Sequence, residues 1–544
     1  MASRVLQNAS KVLVLGGVGL GAIGAYRYQE VKREESNLPS RELFSFKETP
    51  ASDKKKVVVI GGGVVGITAA YKLAVKGHSV VLLEPRSLPG KECSACAAGG
   101  MQRSNPVVDR GTWVAVTKSF LPFNDAYKFF HICWKSALTD PFFLRWASTF
   151  TMTSLFPCSD QKKLQVGMLS FTNYAVQDMI KMMEDKSDPM AKKSGYNPNG
   201  SLSLSYDPPV VEEKALEKEF NPAAAGKTYE PSKQIKGSEI ISQLEPSLLH
   251  QKIQPTAAKH EFESSAASSE RFTEELAERC ANDPKLDVSF FYNTRVKGVT
   301  TTSAGDNQKR SVTQLHTNSG VIHVPKDAQV LVAAGAWTPH VTALMDLYAP
   351  VYPLKGYAMS VSAEKAIASN KTLKPQDLPS RIVSDAFMYT SRLGDEIRIT
   401  SIGEFSGWST QPTPEVEKEF RQEAIRQFPQ LESFIKEAKI KCGHRPYVSD
   451  GILLLGRVGS FDNLLVSCGP GSNGWKLAMG SGEIVERLVS GKTEDDISNE
   501  LGFDAHAFSP AGRVVHSPIF SKLCRARWGV EDSGQKDVIS GGTS

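Results

Sequence analysis

The stretch KKKVVVIGGGVVGITAAYKLAVKGHSVVLLEP, residues 54–85, decides the fold. Val57–Ile60 is a continuous apolar, largely β-branched run, the pattern of a parallel strand buried on both faces. Gly61, Gly63 and Gly66 follow in GxGxxG spacing and open a segment with a helical apolar stripe at Ile67, Ala70, Tyr71, Leu73 and Ala74. Gly77 stands where that helix would stop. A second strand, SVVLLE, ends on Glu84, eighteen residues past Gly66. In such a strand–turn–helix–strand unit the glycines admit a pyrophosphate to the backbone and the helix N-terminus meets its charge. The terminal acid takes the ribose hydroxyls. An acid rather than an arginine at position 84 disfavours a 2′-phosphate. The unit therefore predicts a dinucleotide site, with NAD and FAD both open at this point.

Some 400 residues later a second glycine-rich turn appears, in NLLVSCGPGSNGWKLAMGSGEIVERLVSG, residues 463–491. NLLVSC reads as a strand and GWKLAMGSGEIVERLVSG as a helix, with Gly469, Gly471 and Gly474 between them. Ala478, Gly480, Ser481 and Gly482 are small enough to let that helix lie close to its neighbours. A third glycine cluster, Gly19, Gly21 and Gly24, fits GxGxxG by spacing alone. No second strand ending in an acid follows it, so it is rejected as a nucleotide site. Between the two accepted turns, KECSACAAGGMQ (residues 91–102) is a run of small residues suited to a loop that approaches a flat ring. DAQVLVAAGAWTPHVTALM, residues 327–345, repeats the pattern of buried strand and small-residue turn. The stretches YPLKGYAMSV and AFMYTSRLGDEIRITSIGE alternate apolar and polar residues, as in an antiparallel sheet with one wet face.

At 544 residues, 40% apolar and 23% charged, the chain is long enough for about two domains with a sizeable core. A formal net charge of +5, without a long basic run, argues against nucleic acid as the main partner. The eight cysteines are scattered and read as reduced thiols. Cys93 and Cys96 form one CxxC with no second pair at ligand spacing, so no metal is expected. The N-terminus carries Arg4 and Lys11, no acidic residue before Glu30, and an apolar run over residues 12–26. Fifteen helical residues rise about 22 Å, short of the roughly 30 Å hydrocarbon core. The segment is read as a mitochondrial targeting sequence or inner-membrane anchor, with membrane contact through residues 12–26; a cytoplasmic location is the alternative.

The segments VVVIGGGVVGITAAYKLAVKGHSVVLLE, VYPLKGYAMSV, RPYVSDGILLLG and NLLVSCGPGSNGWKLAMGSGEIVERLV together resemble the FAD-dependent D-amino-acid oxidase superfamily. Within it they are most similar to D-amino-acid dehydrogenases of the bacterial small-subunit type, with glycine oxidase more distant. The resemblance covers residues 54 to about 493 and is weakest over 184–270. It implies an α/β fold: a discontinuous Rossmann-type FAD-binding domain plus an α+β substrate domain with a mixed or antiparallel sheet. The expected boundaries are 1–53 for the targeting segment and linker, then 54–125, 255–345 and 440–493 for the FAD-binding domain. Residues 126–254 and 346–439 are expected in the substrate domain, and 494–544 as a mobile tail.

The cofactor so implied is non-covalent FAD. Its expected ligands are Gly61, Gly63, Val64, Val65, Gly66, Glu84, Ser94, Ala98, Gly99, Val296, Gly335, Gly469, Gly471, Gly474 and Trp475. The late loop would bring a helix N-terminus to the pyrimidine end of the ring, where a positive dipole stabilises negative charge. Pro470 stands where relatives often carry His and supplies no donor. Arg445, in GHRPYVSDG, matches the carboxylate-binding arginine of glycine oxidase; its competing reading is an ion pair with Asp450. Tyr357 and Tyr389 are candidate pocket hydroxyls, whereas Lys355, Arg392 and His444 read as structural. A thioether to the CxxC is not expected, because its position differs from that of the covalent relatives. The implied reaction is oxidation of a D-amino acid to an imino acid, hydrolysed to a 2-oxo acid and ammonia, with electrons passed to quinone. The alternatives are an oxygen-using glycine- or sarcosine-type amine oxidase and a non-catalytic assembly factor of a respiratory complex.

Overall fold

The computed structural model describes residues 28–46, 54–103, 130–156, 159–206, 232–303, 309–385 and 387–531. The apolar run 12–26, the glycines at 19, 21 and 24, and residues 532–544 lie outside them. Among the described residues no helix is long and apolar enough to cross a membrane.

In chain order, the elements that build the site are β1 (Lys56–Ile60), α1 (Val64–Val75), β2 (Ser79–Leu83), α2 (Ser159–Glu184), α3 (Ser269–Asn282), β3 (Val288–Phe291), β4 (Ala328–Val332), β5 (Val351–Ser362), β6 (Met388–Leu393), β7 (Glu396–Phe405), β8 (Lys441–Val448), β9 (Leu454–Arg457), β10 (Leu464–Cys468) and α4 (Gly474–Val489). Six of the strands form one sheet in the order β3-β2-β1-β4-β10-β9. All its pairings are parallel except β9–β10. Its strands are mostly apolar because both faces are covered. Ile67 and Leu73 of α1, Phe171 and Met179 of α2, Leu276 of α3 and Val485 of α4 pack on one face. Leu315 and Ile322, from a four-stranded sheet over residues 42–44, 296–303, 310–317 and 321–323, pack on the other.

The second large sheet has nine strands. Its path runs β8-β5-β7-β6, then Ile382–Ser384, Ser201–Ser205, Ala257–Glu261 and Lys233–Lys236, with Phe130–Ile132 against β7. Most pairings are antiparallel; Ile382–Ser384 with Ser201–Ser205 and Phe130–Ile132 with β7 are parallel. One face packs on Phe420, Phe428 and Ile435, from the helical segment over residues 414–437, and the other looks toward the nucleotide sheet across a cavity.

Two expectations need correction. Ala257–Glu261 and β8 belong to the nine-stranded sheet, so the boundaries drawn at 255 and 440 are displaced: hydrogen-bond partners, not sequence neighbours, assign a strand to its sheet. The segment after 493 is folded as far as it is described. Thr493 and Asp496 form a reciprocal cap for a helix over Glu494–Leu501, and Phe508 packs 4.9 Å from Phe171. A last helix, Pro518–Glu531, sets Phe520 against Phe142 at 5.6 Å and pairs Arg525 with Glu35.

Candidate active site

A cavity of about 1580 Å³ lies between the carboxyl ends of the parallel strands and the nine-stranded sheet. This is where open α/β sheets bind ligands. Gly61 turns the chain out of β1 at φ +115°, and a β-carbon there would stand 2.5 Å from the carbonyl oxygen of Ala333. At Gly66 a β-carbon would come within 1.9 Å of the Gly61 oxygen, so Gly66 shapes the turn without lining the cavity. Gly63, Val64, Val65, Val296 and Gly335 do line it. Glu84, at the end of β2, is only 7% exposed. Its oxygens accept from the backbone N–H of Gly62 at 2.7 Å and of Arg86 at 2.8 Å. Burial nevertheless pushes its carboxyl up to about 7.

The late glycine turn meets the first. Gly469 (φ +80°) lies against Val448 and is absent from the cavity wall, whereas Gly471 and Gly474 are on it. α4 packs across α1: a β-carbon on Gly482 would be 2.9 Å from the Thr68 oxygen, and the Thr68 hydroxyl donates to Ala478 O at 3.1 Å. The Trp475 indole donates to Gly99 O at 2.9 Å. Two helix N-termini thus open on one cavity.

Between them runs the small-residue loop. Cys93–Cys96 forms one 3₁₀ turn, and Ser94 Oγ accepts from the N–H of Val64 at 3.1 Å. In this structure Ser94 caps α1 while lining the cavity beside Ala98 and Gly99. Arg398, which sequence reasoning missed, holds the loop from behind, donating to Ala95 O at 2.7 Å and Ala97 O at 3.1 Å. Ser391 donates to Ala98 O. Burial pushes the Cys93 thiol up to about 11 and the Cys96 thiol to about 12.

The sheet wall carries the remaining candidates. Arg445 of β8 lies over Gly356 of β5, and its only polar contact among the described residues is a long 3.4 Å one, Nη2 to Ser401 O. Asp450, its expected competitor, is taken by Arg513 through two 2.8 Å bonds. Tyr389 of β6 lines the same cavity, donating to Gln102 Oε1 at 3.2 Å. Tyr357 does not line it. Its side chain is fully buried on the opposite face, donating to Glu404 at 2.6 Å and accepting from the N–H of Thr413 at 2.9 Å. Its place among the pocket hydroxyls is therefore corrected. Lys355 pairs with Glu404 at 2.9 Å in the same network, as a structural residue would. Arg392 donates to the nearby Gly394 oxygen. His444 is 2% exposed on the cavity wall, bonded through Nε2 to Ser409 O at 3.1 Å, and burial lowers its pKa. Lys476, on the first turn of α4, is a second wall residue that sequence reasoning missed.

The residues fit FAD. Glycine cradles admit backbone contact at two separate helix N-termini, a buried acid ends β2, and a strip without bulky side chains joins them. Such a two-ended dinucleotide cradle under a sheet-walled cavity defines a flavin-dependent oxidoreductase. Residues 56–488 match the FAD dependent oxidoreductase (DAO) family, and the chain belongs to it. It is 24% identical over 447 residues to a D-amino acid dehydrogenase of Granulibacter bethesdensis, covering 80% of this chain and 96% of that one. It is 25% identical over 460 residues to a D-amino acid dehydrogenase of Bradyrhizobium diazoefficiens, covering 83% and 99%. Among solved structures, glycine oxidase from Geobacillus kaustophilus superposes with a TM-score of 0.54 at 19% identity, covering 84% of this chain and 98% of that one. L-amino acid deaminase from Proteus vulgaris superposes with a TM-score of 0.53 at 16% identity, covering 86% and 99%. At these identities the structural likeness shows the fold.

Proposed function

We propose that this FAD-dependent oxidoreductase oxidises the C–N bond of a D-amino acid to an imino acid, which water converts to a 2-oxo acid and ammonia. The observation that carries the reading is Arg445, a guanidinium on the cavity wall with no carboxylate partner among the described residues. Relatives named D-amino acid dehydrogenase support the substrate class. Bound FAD supplies the acceptor for a hydride. The protein's part is to bind and orient. Arg445 presents a planar fork that takes a carboxylate through two parallel bonds, fixing the α-carbon. Tyr389 stands on the same wall to border the amino group. His340 and His444 are held neutral by burial, so neither adds positive charge beside an amine that must lose its proton. The ammonium proton goes to solvent, leaving the neutral amine bound, so no side chain of the site need act as a base.

Quinone is the proposed electron acceptor, supported by the dehydrogenase naming of the relatives and by the apolar run 12–26 as a route to the membrane. The acid-poor N-terminus supports a mitochondrial location. The test is anaerobic mixing of the FAD-loaded protein with D- and L-amino acids, sarcosine and 2-hydroxy acids, watching flavin absorbance. Bleaching by D-amino acids with faster recovery by a soluble quinone than by air is expected. Fast recovery in air would make the protein an oxidase. Flavin that no candidate bleaches would sink the reading and favour an assembly role.

A further inference from the structure

A helix over Pro141–Leu155 lies against the last helix, Pro518–Glu531. Phe142 packs 5.6 Å from Phe520, and the Arg145 guanidinium sits 4.7 Å from the same ring and donates to Ser517 Oγ at 3.2 Å. Phe142, Phe143 and Trp146 turn inward to the core. On the outer side Leu144, Ser148, Met152 and Phe156 recur every four residues, and all are exposed, Phe156 at 69%. Ile519 and Leu523 repeat that spacing on the last helix, Ile519 at 78%. A single exposed apolar side chain is ordinary. Five of them on two adjoining helices form a patch of the kind that marks a contact surface.

Charge and chain path together point to a lipid surface as its cover. Residues 141–156 and 518–526 contain no Asp or Glu, and they carry Arg145, Arg525 and an exposed Lys522. Such a face meets no repulsion from anionic headgroups and gains from them. The apolar run 12–26 ends two residues before Tyr28. Tyr28 lies 5.7 Å from the Arg525 guanidinium, and Glu35 pairs with the same arginine. The chain therefore joins the folded body at the last helix, beside the patch. Fifteen residues are short for a span, and a second contact carried on the same rigid body strengthens a weak first one. The cavity reaches this side too, since Val31, Glu35 and Arg525 are on its wall.

We propose that the outer face of these two helices docks on a lipid bilayer surface, with Leu144, Met152, Phe156, Ile519 and Leu523 entering the boundary between headgroups and acyl chains. The proposal shares with the reading above only the membrane-seeking role of residues 12–26, and it stands whatever the flavin oxidises.

The test mixes the full-length, FAD-loaded protein with vesicles of phosphatidylcholine and phosphatidylglycerol. A fraction of the lipid carries a photoactivated diazirine on its acyl chain, near the headgroup, and the labelled peptides are mapped by mass spectrometry. Peptides covering 141–156 and 518–526 are expected to be labelled at least fivefold above the rest of the folded body. The double substitution Leu144→Glu, Leu523→Glu changes two exposed positions, so the fold and its FAD should persist. It is expected to reduce labelling of both helices at least fivefold while labelling of residues 1–27 remains. Labelling confined to residues 1–27, in the unaltered protein, would overturn the docking face and leave the anchor standing; no labelling anywhere would overturn both. Undiminished labelling of the two helices in a folded double variant would overturn the proposal as well. So would crosslinks joining these helices between copies of the lipid-free protein, which would make a second copy the occupant.

Discussion

The guanidinium of Arg445 lies against the α-carbon of Gly356, so close that a β-carbon there would stand 2.6 Å from Nη2 and 2.7 Å from Cζ. The absence of a side chain on β5 is what lets the β8 arginine lie on the cavity wall. Gly356→Ala is therefore expected to push the guanidinium aside. The far end of a long side chain can move, so stability should change by less than about 1 kcal/mol. The KM for the amine should rise about tenfold, equivalent to ~1.4 kcal/mol of lost binding, with FAD content intact. Steady-state kinetics and the flavin-to-protein absorbance ratio check this.

Tyr357→Phe should behave in the opposite way. It removes a buried donor to Glu404 and the acceptor of the Thr413 N–H, outside the cavity. A loss of about 1–3 kcal/mol of stability is expected, with kcat/KM within about twofold of the parent. Thermal denaturation beside kinetics separates the two effects, and a large fall in kcat/KM would return Tyr357 to the site.

Glu84 predicts a pH dependence of the flavin-free protein. Its carboxyl titrates near 7 in the folded state against an ordinary 4.5, so the folded protein holds an extra proton between those values. Stability should then fall as pH rises from about 4.5 to 7, by about 3 kcal/mol in total from this group. Glu84→Gln should flatten that part of the profile. Denaturation midpoints of parent and variant apoprotein at pH 5 and pH 7 provide the comparison.

Cys93 and Cys96 bear on how the flavin is held. Thiols that titrate near 11 and 12 stay protonated at neutral pH and are poor nucleophiles toward a ring system. Acid precipitation should release all the FAD into the supernatant. A yellow pellet whose mass exceeds the polypeptide by one FAD would refute this.

Much of the nucleotide side of the cavity was legible because its signals are local. Val57–Ile60, the three glycines and Glu84 lie within one short unit, and both buried faces of β1 force an apolar run. Arg445 was legible through its motif. Arg398, Lys476 and Gly356 were not: Arg398 acts on a loop some 300 residues earlier, Gly356 only makes room for an arginine on the paired strand, and Lys476 sits in an otherwise apolar helix turn. Tyr357 was misplaced for a subtler reason. Adjacent strand residues face opposite ways, and with Gly356 on the cavity wall Tyr357 turns into the core, next to a register shift against β7. The tail after 493 looked polar because its apolar anchors, Ile497, Phe503 and Phe508, are spread thinly among charged residues.

The interleaved order of the parallel sheet bears on how the chain is made. β4 lies between β1 and β10, yet β10 leaves the ribosome more than a hundred residues after it. Until then β4 has one unpaired flank, an apolar edge open to other chains. A polypeptide ending before Asn463 would keep that edge permanently and lack α4 to cover α1. Premature termination even late in translation should therefore yield insoluble protein rather than a weakened enzyme, and nascent chains should engage chaperones until nearly the whole message has been read.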